Sequence, residues 1–446
     1  MDNKTIYALS TVFGKSGVAV LRICGPRAFD FLSKMTDIDV QVLEFRRFYY
    51  SKVFDFDSRE TLDNCLIAAF KGPHSFSGED TVEINCHGSK AVIRGLLNAL
   101  SNLEDFRIAE PGEFSRRAFY NGKMDLTAAE GLADLIDAET EIQQKTALRQ
   151  MNGTLFSLYE EWRNRLVSAL SHVEAYIDFP EEDIPEDTVF KLENDVFKVI
   201  EDIENHLKGN NIEERLRDGF QVVISGPTNA GKSSLINALV KRNVAIVSDI
   251  AGTTRDVIDA YVDIKGFPVV FSDTAGLRET SDEIERIGVN LAKNKISEAD
   301  FNIFIFDAET DTPDIFAQYT KDMKNYVIVA NKADKLDAAR REELQKNGCL
   351  MISAKYSENL EQITEVLYKH FNDVYSVSSA HLITRQRYKE ALKACLEHLR
   401  RFNLQKEIEL AAEDLRLACR EIGKITGRVE VSEILDKIFS SFCIGK

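Results

Sequence analysis

The chain has 446 residues, enough for two to four domains, and 44% hydrophobic content to fill their cores. A formal net charge of −17 argues against sequence-independent nucleic-acid binding by the surface as a whole, though not against a local basic patch. No uncharged apolar stretch approaches the roughly 18 residues of a membrane span, and Met1-Asp2-Asn3-Lys4 opens neither a signal nor a transit peptide, so a cytoplasmic location is expected.

Residues 1–120 alternate short β-type runs with turns. Val18 to Leu21, Cys65 to Phe70 and Thr81 to Ile84 read as strands, and Lys90 to Leu100 as a helix, which makes an α/β domain. The rhythm turns helical near Asp125, where Thr127-Ala-Ala-Glu130 has the composition of a capping box. Leu155, Leu158, Trp162, Leu166, Ala169, Val173 and Ile177 then recur every three or four residues, one stripe of an amphipathic helix. The acidic, proline-bearing run Phe179 to Glu186 interrupts it, and a further helix is expected to about Leu216, so 121–216 reads as helical. Strand-loop-helix alternation occupies 217–375. From 376 to 446 the chain is helical again, through Leu392, Cys395, Leu399, Ile408, Leu415, Ala418 and Ile422, with Gly427 as a stop. The two helical stretches are expected to form one discontinuous domain, with the second α/β block inserted into it.

The seven cysteines show no metal or redox spacing, and six are expected as packing residues. The seventh, Cys443, follows an amphipathic helix expected over Ser432 to Phe442, with Ile434, Leu435, Ile438, Phe439 and Phe442 on its apolar side. That helix is expected to dock onto the helical domain and project Cys443 beyond it. A prenylation signal is excluded, because Gly445 and Lys446 do not fit one.

The inserted block carries its chemistry in chain order. The buried-strand run Phe220 to Ser225 leads into Gly226-Pro-Thr-Asn229-Ala230-Gly231-Lys232-Ser233-Ser234. Two glycines five apart let backbone amides curl around phosphate oxygens at a helix N-terminus, with Lys232 reaching the β- and γ-phosphates and the Ser233 hydroxyl directed to Mg²⁺. Gly14-Lys15-Ser16 fails the same test, since Leu9 stands where the upstream glycine belongs. Gly252-Thr253-Thr254-Arg255-Asp256 is the expected switch segment, with Thr254 a second Mg²⁺ ligand. Val269 to Ser272 leads into Asp273-Thr274-Ala275-Gly276, a metal-directed carboxylate and a γ-phosphate-sensing glycine at a strand end. Tyr326 to Ala330 leads into Asn331-Lys332-Ala333-Asp334, whose carboxylate can accept from the N1–H and 2-amino group of guanine, donors that adenine lacks. Ser353-Ala354-Lys355 would close over the base. The nucleotide read from these four motifs is GTP or GDP. Leu277 stands where small signalling GTPases carry a water-orienting glutamine, so another polar group among Glu279, Asp282, Glu283 and Glu285 must serve.

The Gly252 to Asp256 switch, Asp273 to Glu279 and the C-terminal Phe442-Cys443-Ile444-Gly445-Lys446, together with Phe76-Ser-Gly-Glu-Asp80, Pro111-Gly-Glu-Phe114, Lys123-Met-Asp-Leu126 and Ile438 to Phe442, make the chain resemble the MnmE (TrmE) family of tRNA-modification GTPases over essentially its whole length. The resemblance implies an N-terminal α/β folate-binding-like dimerisation domain, a discontinuous helical domain and an inserted Ras-like P-loop GTPase domain. It implies a potassium-stimulated GTPase, with nucleotide contacts extending over Ser248, Asp249, Ile250, Ala251 and Gly252. K⁺ would be held by Asn229, the main chain at Ser248 and Ile250, and Thr253, and Glu285 would be catalytic. A tetrahydrofolate one-carbon derivative, 5-formyl- or methylene-, would meet Arg22, Glu83, Lys123 and Lys446, and Cys443 would serve the modification. Implied partners are a second copy of the chain, the flavoprotein MnmG and tRNA, with no membrane. The pair would install an aminomethyl or carboxymethylaminomethyl group at C5 of the wobble uridine.

The chain departs from the family where Gly226-Pro-Thr-Asn229 replaces Gly-Arg-Pro-Asn, Val12-Phe13 replaces paired prolines, and Asn85-Cys86 replaces Gln-Gly before His87-Gly88. A regulatory or ribosome-assembly GTPase switch without modification chemistry is the competing class. The cysteine-bearing tail and the folate-like first domain favour the enzyme.

Overall fold

A computed structural model describes residues 3–178, 186–208, 212–242, 259–273, 294–311, 323–378, 385–405, 407–429 and 432–445. It divides into two compact units, residues 1–133 with 422–446, and residues 134–421.

The first unit is built on a six-stranded sheet in the order β3-β4-β5-β2-β1-β6. Its strands are β1 (Thr5–Leu9), β2 (Ser16–Cys24), β3 (Phe48–Phe54), β4 (Thr61–Phe70), β5 (Thr81–Gly88) and β6 (Phe106–Ile108). All neighbours are antiparallel except β1 and β6. Alternation decides the faces. Leu21, Ile23, Ile67, Ala69, Val82 and Ile84 point into a core shared with Phe31 and Leu32 of α1 (Asp30–Met35) and with Ile93, Leu96 and Leu100 of α2 (Lys90–Ser101). On the other face β2 and β5 present Arg22 and Glu83 as register partners, while Phe48, Tyr50 and Leu66 are 62%, 74% and 47% exposed.

Helices α3 (Glu113–Tyr120) and α4 (Leu126–Ile136) follow the sheet. Thr127 is not the cap expected of it, because it already lies inside α4. The carboxylate of Asp125 caps the helix, accepting from the amides of Thr127 and Ala128 at 2.8 and 3.1 Å. A complete capping box does occur later, where Thr140 and Gln143 open α5 (Glu141–Met151). The tail helix forms over Ser432–Ser440 and docks, as expected, on the helical stretch that begins near residue 121. Leu435, Phe439 and Phe442 pack on Leu126 and Ala129 of α4, and Phe439 also faces Phe119 of α3. The expected apolar stripe makes this contact, with Leu435, Phe439 and Phe442 buried and Ile434 and Ile438 packed against them.

In the second unit the helical stretch consists of α5, α6 (Thr154–Asp178), α7 (Glu186–Lys208) and α8 (Ile212–Asp218), with Gln386–Leu399 and, up to Glu421, the helix Ile408–Thr426 after the α/β block. The buried face of α6 runs Leu155, Tyr159, Trp162, Leu166, Ala169 and Val173, so Tyr159 rather than Leu158 takes the inner position. The Tyr159 ring packs edge-on against His206 of α7 and Tyr388 of the helix after the block, which ties the sequence-distant segments together. Ile408–Thr426 stops before Gly427 at φ +81°, as the expected left-handed terminator.

The inserted block has a six-stranded sheet in the order β12-β11-β10-β7-β9-β8. It comprises β7 (Phe220–Ser225), β8 (Asp259–Ile264), β9 (Phe267–Asp273), β10 (Phe301–Asp307), β11 (Tyr326–Asn331) and β12 (Leu350–Met351). All pair in parallel except the β8–β9 hairpin. Every residue of β9 and β10 is buried, the pattern of central strands covered on both faces.

Candidate functional site

Parallel strands deliver their following loops to one edge of the sheet, where ligands of open α/β sheets bind. Here β7 ends at the Gly226 to Ser234 loop, β9 at Asp273, β10 at Asp307, β11 at Asn331 and β12 just before Ser353. Register aligns them, since Ile224 pairs with Asp273 and Asp307 with Asn331.

The phosphate loop leads into helix α9 (Lys232–Arg242) and needs its glycines for specific reasons. Gly226 has φ +146°, and a Cβ there would lie 1.9 Å from the Ile305 carbonyl oxygen. Gly231 has φ +97°, and its Cβ would lie 2.3 Å from Asn331 Nδ2. Asn229 is left-handed at φ +64°, a conformation its short polar side chain tolerates. Lys232 is 8% exposed and donates to the carbonyls of Gly226 and Pro227 at 3.0 and 2.9 Å, which holds its ammonium over the loop. Ser233 Oγ donates to Asp273 Oδ2 at 3.0 Å, so two strand-distant oxygen donors meet. A hydroxyl beside a carboxylate is the donor chemistry that suits Mg²⁺.

The base-side motifs interlock with this loop. Buried Asn331 donates from Nδ2 to Ala230 O at 2.8 Å and accepts at Oδ1 from the Ala354 amide at 3.0 Å. Ser353 Oγ donates to Asp334 Oδ1 at 2.6 Å, and the Ala333 amide to Ile352 O at 2.9 Å. Lys332 is left-handed at φ +65°, and its ammonium pairs with Asp307. Sequence reading had not singled out Asp307; the available signal was an aspartate ending a buried strand that pairs in parallel with the Asn331 strand. Lys355 is exposed, its ammonium 4.8 Å from the ring centroid of Tyr356. Ser248, Asp249, Ile250, Ala251, Gly252, Thr253, Thr254, Thr274, Ala275, Gly276 and Glu285 lie outside the described residues, as does Lys446.

A second constellation lies in the first unit. Arg22 donates from Nε and Nη2 to Glu83 Oε1 at 3.0 and 2.8 Å. Its guanidinium lies over the rings of Phe76 and Phe114, 5.3 and 5.7 Å from their centroids. Among the described residues, Arg22 Nη1 and Glu83 Oε2 make no hydrogen bond. Lys123 borders this region through Gly78, whose Cβ would lie 3.2 Å from Lys123 Cε. The tail runs close by. Ile444 bridges Pro111, Cys443 O accepts weakly from the Gly112 amide at 3.5 Å, and Ser10 Oγ donates to Gly445 O at 3.1 Å. Cys443 is exposed, whereas the other six cysteines are buried.

The family pattern described as GTP-binding protein TrmE N-terminus matches residues 5–123, and that of the MnmE helical domain matches 126–443. A tRNA modification GTPase MnmE of Rickettsia typhi is 43% identical over 452 residues, covering 99% of this chain and 100% of the relative. Its counterpart in Rickettsia prowazekii is 44% identical over 446 residues, with the same coverage. Among solved structures, Era in complex with MgGDPNP and a segment of 16S ribosomal RNA matches 34% of this chain and 56% of its own, at 30% identity and a TM-score of 0.28. The G domain of the T. maritima FeoB iron transporter matches 34% of this chain and 98% of its own, at 25% identity and a TM-score of 0.25. With two family patterns covering nearly all of it and full-length relatives at this identity, the chain belongs to the MnmE family of tRNA-modification GTPases.

Proposed function

We propose that the protein hydrolyses GTP and, with the flavoprotein MnmG, uses that turnover to drive addition of an aminomethyl or carboxymethylaminomethyl group to C5 of the wobble uridine of certain tRNAs in the cytoplasm. The observation that carries this reading is the convergence of the phosphate loop, Asp273, Asn331, Asp334 and Ser353 at one sheet edge, in a chain aligned along its whole length with tRNA modification GTPases. Asp334 selects guanine, and Ser353 orients that carboxylate through the 2.6 Å bond. Loop amides and Lys232 hold the phosphates. Ser233 and Thr254 would hold Mg²⁺, which supplies charge neutralisation at the β- and γ-phosphates.

Asn229, Thr253 and the main chain at Ser248 and Ile250 would hold K⁺, which supplies the positive charge that an arginine finger provides elsewhere. Glu285 would orient the attacking water indirectly, in place of the glutamine that Leu277 cannot replace. Arg22, Glu83, Lys123 and Lys446 would bind the tetrahydrofolate one-carbon derivative, and the unbonded Arg22 Nη1 and Glu83 Oε2 support that assignment. The apolar, exposed Phe48, Tyr50 and Leu66 on the open sheet face support dimerisation through the first domain.

The test is nucleoside analysis of tRNA from cells lacking the protein. Loss of the C5 group on wobble uridine is expected. Unchanged nucleosides would point to an assembly GTPase without modification chemistry.

A further inference from the structure

The loop between β4 and β5 contains Phe76-Ser-Gly-Glu-Asp80, a segment to which no role has so far been assigned. Phe76 is 38% exposed, with its ring on the Arg22 guanidinium. Two residues on, Gly78 has φ +82°, and a Cβ there would meet Asn121 at 2.9 Å and Lys123 at 3.2 Å. A three-residue span therefore runs from the Arg22–Glu83 pair to Lys123, and Phe76 is its one aromatic side chain.

A half-exposed phenylalanine on a loop ordinarily moves among rotamers, but this loop is anchored on its buried side. Cys24 Sγ lies 2.9 Å from Ser77 Oγ and 3.3 Å from Glu79 Oε2. Arg117 Nη1 donates to the same Glu79 oxygen at 2.8 Å, and Asn121 Nδ2 donates to Ser77 O at 2.8 Å. Ser75 Oγ donates to Glu79 O at 2.5 Å, and the Gly25 amide to Asp80 O at 3.0 Å. The Arg22 guanidinium also lies over the ring of the fully buried Phe114 and is held by Glu83, so the cation that Phe76 meets is itself fixed in place beside a carboxylate acceptor.

We propose that Phe76 is a specificity-determining residue of the Arg22–Glu83 site, a rigid platform on which a flat, amino-substituted heteroaromatic ring stacks while its donors reach Glu83. The inference rests on the folate reading of that site and deepens it, since the aminopyrimidinone ring of a tetrahydropterin has both the flat face and the donor edge. Stacking of a planar heterocycle on an aromatic side chain contributes about 1–3 kcal/mol, or roughly 5- to 150-fold in affinity.

The experiment titrates 5-formyltetrahydrofolate calorimetrically into the full-length protein and its Phe76→Tyr, Phe76→Leu and Phe76→Ala variants, with GTP turnover as the control for folding. Tyrosine keeps the ring and should bind within about twofold of the unsubstituted protein. Leucine keeps the apolar bulk without the flat face and should weaken binding about tenfold or more, as should alanine, with GTP turnover unchanged in all three. Leucine binding as tightly as phenylalanine would overturn the platform while leaving the folate site standing. Absence of saturable binding to the unsubstituted protein would remove the folate reading, and the platform with it.

Discussion

Ser353 donates a 2.6 Å hydrogen bond to the carboxylate of Asp334 across 19 residues of chain. The bond joins the loop after β12 to the loop after β11, and Asn331 continues the connection to the phosphate loop through Ala230 and Ala354. The base side and the phosphate side are thus held in one hydrogen-bonded frame. A carboxylate locked in this way is preorganised to accept from two adjacent donors on a ring edge, and it has no donor of its own to offer.

That asymmetry makes Asp334→Asn informative. An amide can donate to the 2-oxygen of xanthine but meets the 2-amino group of guanine with a mismatched donor. The substitution should weaken GTP binding by about 100-fold, equivalent to about 2.7 kcal/mol, and raise affinity for xanthosine triphosphate. Competition between the two nucleotides for the variant measures this, and equal GTP affinity before and after substitution would sink the assignment.

The cation reading makes a separate demand. GTP turnover should be much faster in KCl than in NaCl at matched ionic strength, because Na⁺ is too small for a potassium-sized cage of oxygens. Glu285→Ala should lower turnover at least about tenfold while sparing nucleotide affinity, as expected of a group acting only in the transition state. Identical rates in the two salts would count decisively against K⁺, and a Glu285 variant with full turnover would return the search to Glu279, Asp282 and Glu283.

The nucleotide motifs were legible in the sequence because each places polar residues at the end of a buried strand, and strand order then follows from parallel pairing. Asp307 was less visible, since its relation to Lys332 depends on β10 lying beside β11. The first domain was legible only in its longer runs. β1, β3 and β6 were missed: β6 has three residues, and β3, Phe48-Tyr-Tyr-Ser-Lys-Val-Phe54, is an edge strand whose burial alternates but whose exposed Phe48 and Tyr50 hide that alternation in the sequence. The pairing of Arg22 with Glu83 is a matter of β2–β5 register, 61 residues apart in sequence, and no local pattern encodes it. Phe76 was noticed as part of a motif, but its meaning lies in a ring-to-guanidinium contact that only the fold creates.

Cysteine accessibility provides a check over all seven positions. Burial pushes the Cys24 thiol up to about 12 and those of Cys86 and Cys419 to about 11, and it raises Cys65, Cys349 and Cys395 as well. An acid whose folded value is raised stays protonated as pH climbs past the ordinary thiol value of about 8.5. Its contribution to stability is therefore complete below that pH and is lost as pH rises through the folded values. An aromatic disulfide reagent at pH 8 should titrate one thiol rapidly, that of exposed Cys443, and the other six only on unfolding. Raising the pH to 9.5 should add no second fast thiol while the chain stays folded. Two or more fast thiols at pH 8 would contradict the burial on which this count rests.

The tail separates thiol chemistry from structure. Its backbone is held in place by the Pro111–Ile444 bridge and the Ser10–Gly445 bond, and Phe439 and Phe442 seat the preceding helix. None of these contacts uses the Cys443 side chain, which is exposed. Cys443→Ser should therefore leave the tail seated. Gly445 makes the complementary case, because it has φ +100° and a Cβ there would lie 2.2 Å from Leu9 O. Gly445→Ala should unseat the tail while leaving the thiol chemically intact. If the thiol serves the modification from a fixed position, both substitutions should remove most modified uridine from tRNA. GTP turnover should remain within about twofold in both, since neither residue belongs to the nucleotide site. The assays are nucleoside analysis of tRNA and GTP hydrolysis, run on the same preparations. Normal modification by Cys443→Ser would reduce the tail to a structural element. Loss of modification in Cys443→Ser with full activity in Gly445→Ala would retain the thiol but refute the claim that its position must be held. Loss of GTP turnover in either variant would mean that the tail acts through the nucleotide site instead.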